Sequence, residues 1–196
     1  MEIIAIVVLV GVAVLAVLIY NALVQAHLAV HEAWSAVEVQ LQRRADLIPN
    51  LVETVRGYAG HERSTFEAVT QARAQLLSAT TPAAASDANN LLTGALRSLF
   101  AVAEAYPELK ANQNFLDLQR QLGDTEDKIA YARNFYNSRV LAYNTRTATV
   151  PGVVLAGPFG FQAAEFFRGE PEAMEPVKVS FTGIDSSTKS LPPSSR

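Results

Sequence analysis

Ile3 to Val55 reads IIAIVVLVGVAVLAVLIYNALVQAHLAVHEAWSAVEVQLQRRADLIPNLVETV, and the change of pattern inside this one stretch decides the fold. Its first part, Ile3 to Ile19, carries no polar or charged side chain, and the apolar character runs on through Ala22, Leu23 and Val24. As helix, roughly 22 residues to Val24 reach about 33 Å at ~1.5 Å per residue, enough to cross a hydrocarbon core about 30 Å thick. Tyr20 falls near the end of the run, where an amphipathic ring suits the headgroup layer. A cleaved secretory signal is the competing reading, with Val24 and Ala26 imitating a cleavage site. Glu2 in place of a basic residue, and the length of the run, argue against it. Residues 1–24 are therefore expected to be a retained, single-pass transmembrane anchor. No Lys or Arg precedes the span whereas Arg43 and Arg44 follow it, which tips the body toward the cytoplasmic side of the membrane. Gly11 has no small residue four positions away, so a GxxxG dimer seam is not indicated.

Beyond the anchor the pattern becomes periodic. Trp34, Leu41, Ile48 and Val55 recur at seven-residue intervals and continue through Glu62 to Val69 and Leu76. A companion row, offset by four, runs Val30, Val37, Arg44, Leu51, Tyr58, Thr65, Ala72, completing an a/d-like seam that faces other helices. No turn signal separates span from seam, so the anchor is expected to be the first part of the longest bundle helix. Pro49 lies inside it, predicting a kink or a brief break without a change of domain, because the apolar phase is the same on both sides. Ser78 to Asn90, rich in Ala, Thr, Ser and Asn around Pro82, reads as a loop with Ser86 or Asp87 capping the next helix. That helix covers Leu91 to Tyr106 and stops before Pro107. A further helix starts near Leu109 or Asn114, carries the row Phe115, Leu122, Ile129, Tyr136, Tyr143, and ends about Thr147.

After Val150 the sequence VPGVVLAGPFGFQAAEFF is apolar but broken by Gly152, Gly157, Pro158 and Gly160, which does not suit a second spanning helix. It reads as a flap packed on the bundle end or against the membrane surface, within a segment 150–181 that includes a short extended piece, Val177 to Phe181. Residues 182–196 read as a disordered tail. The expected architecture is all-α: one N-terminal transmembrane helix continuing into an antiparallel bundle of long helices over 25–149, then the irregular flap and the tail.

Composition narrows the function. A net charge of −3 offers no basic stripe for nucleic acid, and the absence of cysteine excludes disulfides, thiolate nucleophiles and Cys-based metal centres. His27 and His31 share a helix face at a spacing able to hold a transition metal, yet two ligands are too few, and no metal or other cofactor is expected. The His31-Glu32 and His61-Glu62 pairs resemble zincin starts, but Ser35 and Thr65 stand where the second histidine belongs. Neither a GxSxG elbow nor a GxxxxGK phosphate loop occurs. Asp124, Glu126 and Asp127 after Gly123 read as a solvated, locally capped turn of helix.

The run HEAWSAVEVQLQRRADLIPNLVETVRGYAGHE, His31 to Glu62, resembles the LemA family signature. The resemblance continues in LFAVAEAYPELKANQNFLDLQRQLGDTEDKIAYARNFYN, Leu99 to Asn137, and more loosely in GPFGF from Gly157, so that it covers Tyr20 to Phe167. It implies a bacterial single-pass membrane protein with a mostly helical body, association of some relatives with membrane organelles, and no catalytic residues to transfer. His27, Ala29 and His31 stand where relatives carry a more basic stretch, which argues against anionic-lipid binding by the juxtamembrane segment.

Two groups of residues are singled out. Phe159, Phe161, Phe166 and Phe167 would form an apolar patch for a partner or for lipid. Arg44, Asp46, Asn50, Glu104 and Asn112, together with Glu62, Lys110, Asn114, Glu126, Arg133 and Asn137, are polar groups in or beside the seams. They either line a polar cleft or pair to set helix register, and register is favoured because half-satisfied buried networks are costly. The expected function is a non-catalytic scaffold or adaptor, self-associating or recruiting another membrane protein in the lipid bilayer. Membrane remodelling by the Phe-rich flap is the alternative, and an enzyme with a polar cleft ranks last.

Overall fold

A computed structural model of the chain describes residues 1–169. Within them α1 runs Glu2–Arg56, α2 Arg63–Ser78, α3 Pro82–Glu104, the short α4 Pro107–Lys110, α5 Gln113–Ala148 and α6 Gly152–Ala156, followed by an extended strap from Phe161 to residue 169. The all-α expectation holds, and no strand occurs among the described residues. The expected strand at 177–181 and the tail at 182–196 lie outside them.

The apolar run and the periodic seam form one helix of 55 residues, about 80 Å long at ~1.5 Å per residue. Its first turns are covered by nothing: Ile3, Leu9 and Leu15 are exposed, and the first fully buried side chain is Leu23, which is 2% exposed. From there Val30, Val37, Leu41, Ile48, Leu51 and Val55 are buried in phase, as the heptad rows require. The helix stops at Gly57, where the Tyr58 and Ala59 N–H groups both turn back to the Val55 carbonyl.

Pro49 does not break α1, contrary to one of the two sequence expectations. A proline has no N–H for the carbonyl four residues earlier, here Ala45. Arg73 of α2 supplies the missing donor, its Nε lying 2.8 Å from the Ala45 oxygen. The interruption falls instead at 57–62, eight residues on, where a glycine-flanked turn folds α2 back along α1. Arg73→Ala should lower stability by about 1–3 kcal/mol, the cost of a buried carbonyl left unpaired. In a Pro49→Ala background, where the helix's own N–H returns, the same substitution should cost about half as much or less. A urea-unfolding double-mutant cycle measures the difference.

The expected loop at Ser78–Asn90 shrinks to Ala79–Thr81. Thr81 caps α3 by accepting from the Ala84 N–H at 3.2 Å, and Pro82 takes the first helical position. Ser86 and Asp87 sit inside the helix and cap nothing. Pro107 opens α4, and the Asn112 side chain caps α5 by accepting from the Phe115 N–H.

Cross-contacts set the topology. Ala22 meets Arg146, Trp34 meets Tyr136, Arg44 meets Glu126 and Tyr58 meets Asn112, so α5 descends antiparallel along the whole body part of α1. Arg56 lies over the Phe66 ring while Arg73 reaches Ala45, which makes α2 antiparallel to α1. The hairpin α2–α3 completes a four-helix, up-down-up-down bundle around one continuous core, into which Phe66, Leu92, Leu99, Phe115, Ile129 and Tyr136 point. At the anchor end α6 closes the bundle. A Cβ on Gly152 would stand 2.0 Å from the Arg146 carbonyl oxygen and 3.6 Å from Leu23 Cδ2, so only glycine lets α6 press against both long helices.

Candidate functional site

At the anchor end α6 and the turn 157–160 bring the chain back beside the point where α1 loses its cover. Phe159 packs on Tyr20 with ring centroids 5.0 Å apart, and Phe161 meets the same ring at 5.8 Å. Val150, Val153, Val154 and Phe159 are exposed around this contact. The flap is thus an apolar collar at the level of Tyr20, where the bare part of α1 begins.

From the collar the strap runs back up the bundle, held by two asparagines of α5. The Asn144 side chain donates to the Ala164 carbonyl at 3.0 Å and accepts from the Ala164 N–H at 2.8 Å. Asn137 repeats the arrangement on Phe167 at 2.9 and 3.0 Å. Each amide presents a donor and an acceptor as a neighbouring strand would, satisfying an extended backbone that has no sheet to join. Tyr136 donates to the Glu165 carbonyl at 2.7 Å, and Ser86 of α3 donates to the Arg168 carbonyl. Burial, then the nearby Glu165 carboxylate, pushes the Tyr136 hydroxyl up to about 12, so it stays a donor.

Strap, α1, α5 and the turn Thr80–Pro82 line an open cleft of about 760 Å³, its wall including His27, Trp34, Tyr136, Tyr143 and Phe161. His27 and His31 bond Nε2 to Nε2 at 3.2 Å, so one ring donates and the other accepts. His27 also lies 5.4 Å from the Tyr143 ring and 6.4 Å from Phe161. Burial, and then the charge of His31, hold His27 below the ordinary imidazole value of 6.5. The unfolded chain therefore takes up this proton first as pH falls. The contribution of His27 to stability is complete above pH 6.5 and declines through and below it. A lower melting temperature at pH 5 than at pH 7.5 is expected, and the difference should shrink in His27→Gln.

The four phenylalanines expected to act together are divided. Phe159 and Phe166 are exposed, Phe161 is half-buried, and Phe167 is 1% exposed against Trp34. Phe167 anchors the strap in the core and is not available as a surface contact, because the strap's hydrogen bonds draw it under α1 and α5.

The polar residues expected to form a register network also separate. Arg44 is 4% exposed and donates to Asn89 Oδ1 at 2.7 Å and Thr93 Oγ1 at 2.9 Å, with Glu126 Oε2 at 2.7 Å. It ties α1 to α3 and α5. The other members lie elsewhere: Asp46 accepts from Gln42 on the surface, Asn50 and Glu104 are exposed, and Asn112 caps α5 and donates to Tyr58. Glu126 and Asn137 do join buried partners, whereas Lys110 and Asn114 are exposed. Asn89, Thr93 and Asn144 were not singled out. Asn144 had a signal, since it repeats Asn137 one heptad on; Asn89 lay in the stretch read as loop. Among the described residues no three His, Asp or Glu side chains are grouped to hold a metal.

The sequence profile of the LemA family matches residues 33–181. The chain is similar to magnetosome protein MamQ of Magnetospirillum gryphiswaldense, 27% identical over 184 residues that cover 81% of this chain and 68% of that protein. Magnetosome protein MamQ 2 of Paramagnetospirillum magneticum is 28% identical over 169 residues, covering 73% of this chain and 62% of its own length. Protein LemA of Metamycoplasma hominis is 26% identical over 133 residues, 66% of this chain and 59% of its own. The chain thus spans about two thirds or less of these relatives. The matched region takes in α1 from Ala33 onward, the other helices of the bundle, the flap and the strap, and on that extent of similarity the chain belongs to the LemA family.

Proposed function

We propose that this protein is a non-catalytic scaffold or adaptor, fixed upright on a bacterial inner membrane by a single span and self-associating there. The observation that carries the reading is α1: one unbroken helix is both the bare apolar rod and the central strut of the bundle. A flexible linker would let a body reach in all directions, whereas a shared helix fixes its height and tilt relative to the bilayer. That suits a platform whose outer faces meet neighbours in the membrane plane, either further copies or another membrane protein. Retention of the span also fits the packing, since cleavage after Ala26 would remove Tyr20 and Leu23, the partners of Phe159 and Gly152. Similarity to bacterial proteins, two of them named magnetosome proteins, supports the bacterial setting. Light scattering of the full-length protein in detergent, across a hundredfold concentration range, should show a mass above the monomer that falls on dilution. A monomer at every concentration would remove self-association from the reading.

A second reading, contact with the lipid surface, is favoured by the collar of Val150, Val153, Val154 and Phe159 around Tyr20. A Val154→Cys variant carrying an environment-sensitive fluorophore, in a chain with no other cysteine, should be quenched by lipids spin-labelled near the headgroup. A fluorophore that reports water and is not quenched would refute it.

A further inference from the structure

One feature of the aromatic cleft is unexplained by scaffolding. Tyr143 is wholly buried, it lines the cleft, and its hydroxyl has no hydrogen-bond partner among the described residues. Burying a hydroxyl unpaired costs free energy that an isosteric phenylalanine would avoid. The histidine pair adds to it. Whichever ring donates in the Nε2–Nε2 bond, the accepting ring carries its proton on Nδ1, so the pair keeps a donor. The cleft's lining includes one carboxylate, Glu165, and no Lys or Arg, which is unfavourable to a phosphate or carboxylate head. Its aromatic wall runs from Phe159, at the level of Tyr20, to Trp34, and its volume suits a small organic ligand. A compound dissolved in the bilayer meets this wall where α1 leaves the lipid.

We propose that the cleft binds an uncharged, bilayer-soluble cyclic dione of the quinone class, its ring against Trp34, the strap giving way so that a carbonyl oxygen reaches the buried Tyr143 hydroxyl. The His27–His31 pair offers the second donor. The site is a binding site, and no redox step is attached to it.

Trp34, the chain's single tryptophan, reports occupancy directly. It lies fourteen residues beyond Tyr20, about 21 Å along the helix, out of reach of quenchers that remain in the bilayer core. Full-length protein in vesicles of uncharged phospholipid is titrated with decylubiquinone while Trp34 emission is followed. Saturable quenching is expected, weakened about 3- to 10-fold in Tyr143→Phe, the loss of one hydrogen bond, and weakened similarly in His31→Ala, an exposed position that leaves the core intact. Tyr143→Phe without ligand should unfold at the same temperature as the parent or higher, which a merely structural hydroxyl would not allow. Quenching that rises linearly without saturation, or that is as strong in both variants as in the parent, overturns the proposal. So does saturable quenching by phospholipid brominated on its acyl chains, which would assign the cleft to a lipid tail.

Discussion

Arg44→Ala should lower the stability of the body by about 3–5 kcal/mol, the range for removing one partner of a buried charged network. In a chain of this size that is a fall in melting temperature of roughly 10 °C. Arg44 is buried where α1, α3 and α5 meet, and its guanidinium spends donors on Asn89, Thr93 and Glu126. Truncation leaves the Asn89 side-chain oxygen buried without its arginine donor and opens a void the length of the arginine stem. Glu126 matters less, because its side chain is 48% exposed and water can replace the arginine. Glu126→Gln should therefore cost less than half as much as Arg44→Ala. A double change to Arg44→Met and Asn89→Leu should recover most of the loss, since a well-packed apolar replacement of a buried polar pair is often neutral. Thermal unfolding followed by circular dichroism gives all these values. Recovery of stability with loss of a single unfolding transition would show that the network's contribution is to helix register.

Releasing the strap is the second large effect. Asn137→Ala with Asn144→Ala removes both donor–acceptor pairs that hold the backbone at Ala164 and Phe167. At about 1 kcal/mol for each hydrogen bond the double variant loses roughly 4 kcal/mol locally, enough to free a nine-residue segment. Phe167 then leaves the core beside Trp34, and the cleft loses one wall. Amide hydrogen exchange should rise a hundredfold or more at residues 162–168 and little in α2 and α3. Asn144→Asp keeps the acceptor and loses the donor, so it should fall between the parent and the alanine variant. Trp34 emission should shift to longer wavelength in the double variant as water reaches the ring.

Elements with sustained periodicity were legible in the sequence. The row Phe115, Leu122, Ile129, Tyr136, Tyr143 gives α5 nearly to its last residue, because each step places an apolar side chain on the buried face. The row from Trp34 to Val55 gives the body part of α1 in the same way, although Trp34 itself is only partly buried. The start of α3 is hidden in the sequence because its Ala, Ser and Asn cluster resembles loop chemistry. Alanine is the best helix former, and Thr81-Pro82 is a cap followed by a first-turn proline. Pro49 was read from its own helix alone, whereas the donor that tolerates it, Arg73, comes from another helix and becomes visible only when both are packed.

The site was less legible for the same reason. Phe167 and Phe159 have equal claims in the sequence, and only the path of the strap puts one in the core and the other on the collar. Arg44 was recognisable as a polar intruder in an apolar row, but its partners Asn89 and Thr93 lie more than forty positions away. Asn137 and Asn144 bind backbone, a role that side-chain pairing rules do not reveal.

The central claim is that span and bundle share one rigid helix. With no native cysteine, spin labels can be placed at Leu15→Cys, on the bare rod, and Val39→Cys, on the exposed face of the body. Twenty-four residues of uninterrupted helix separate them by about 36 Å along the axis. Double electron–electron resonance on the full-length protein in lipid should give one narrow distance distribution near that value, adjusted for the label arms. A broad distribution, or a main distance many ångströms shorter, would mean a hinge between membrane and body and would contradict the account.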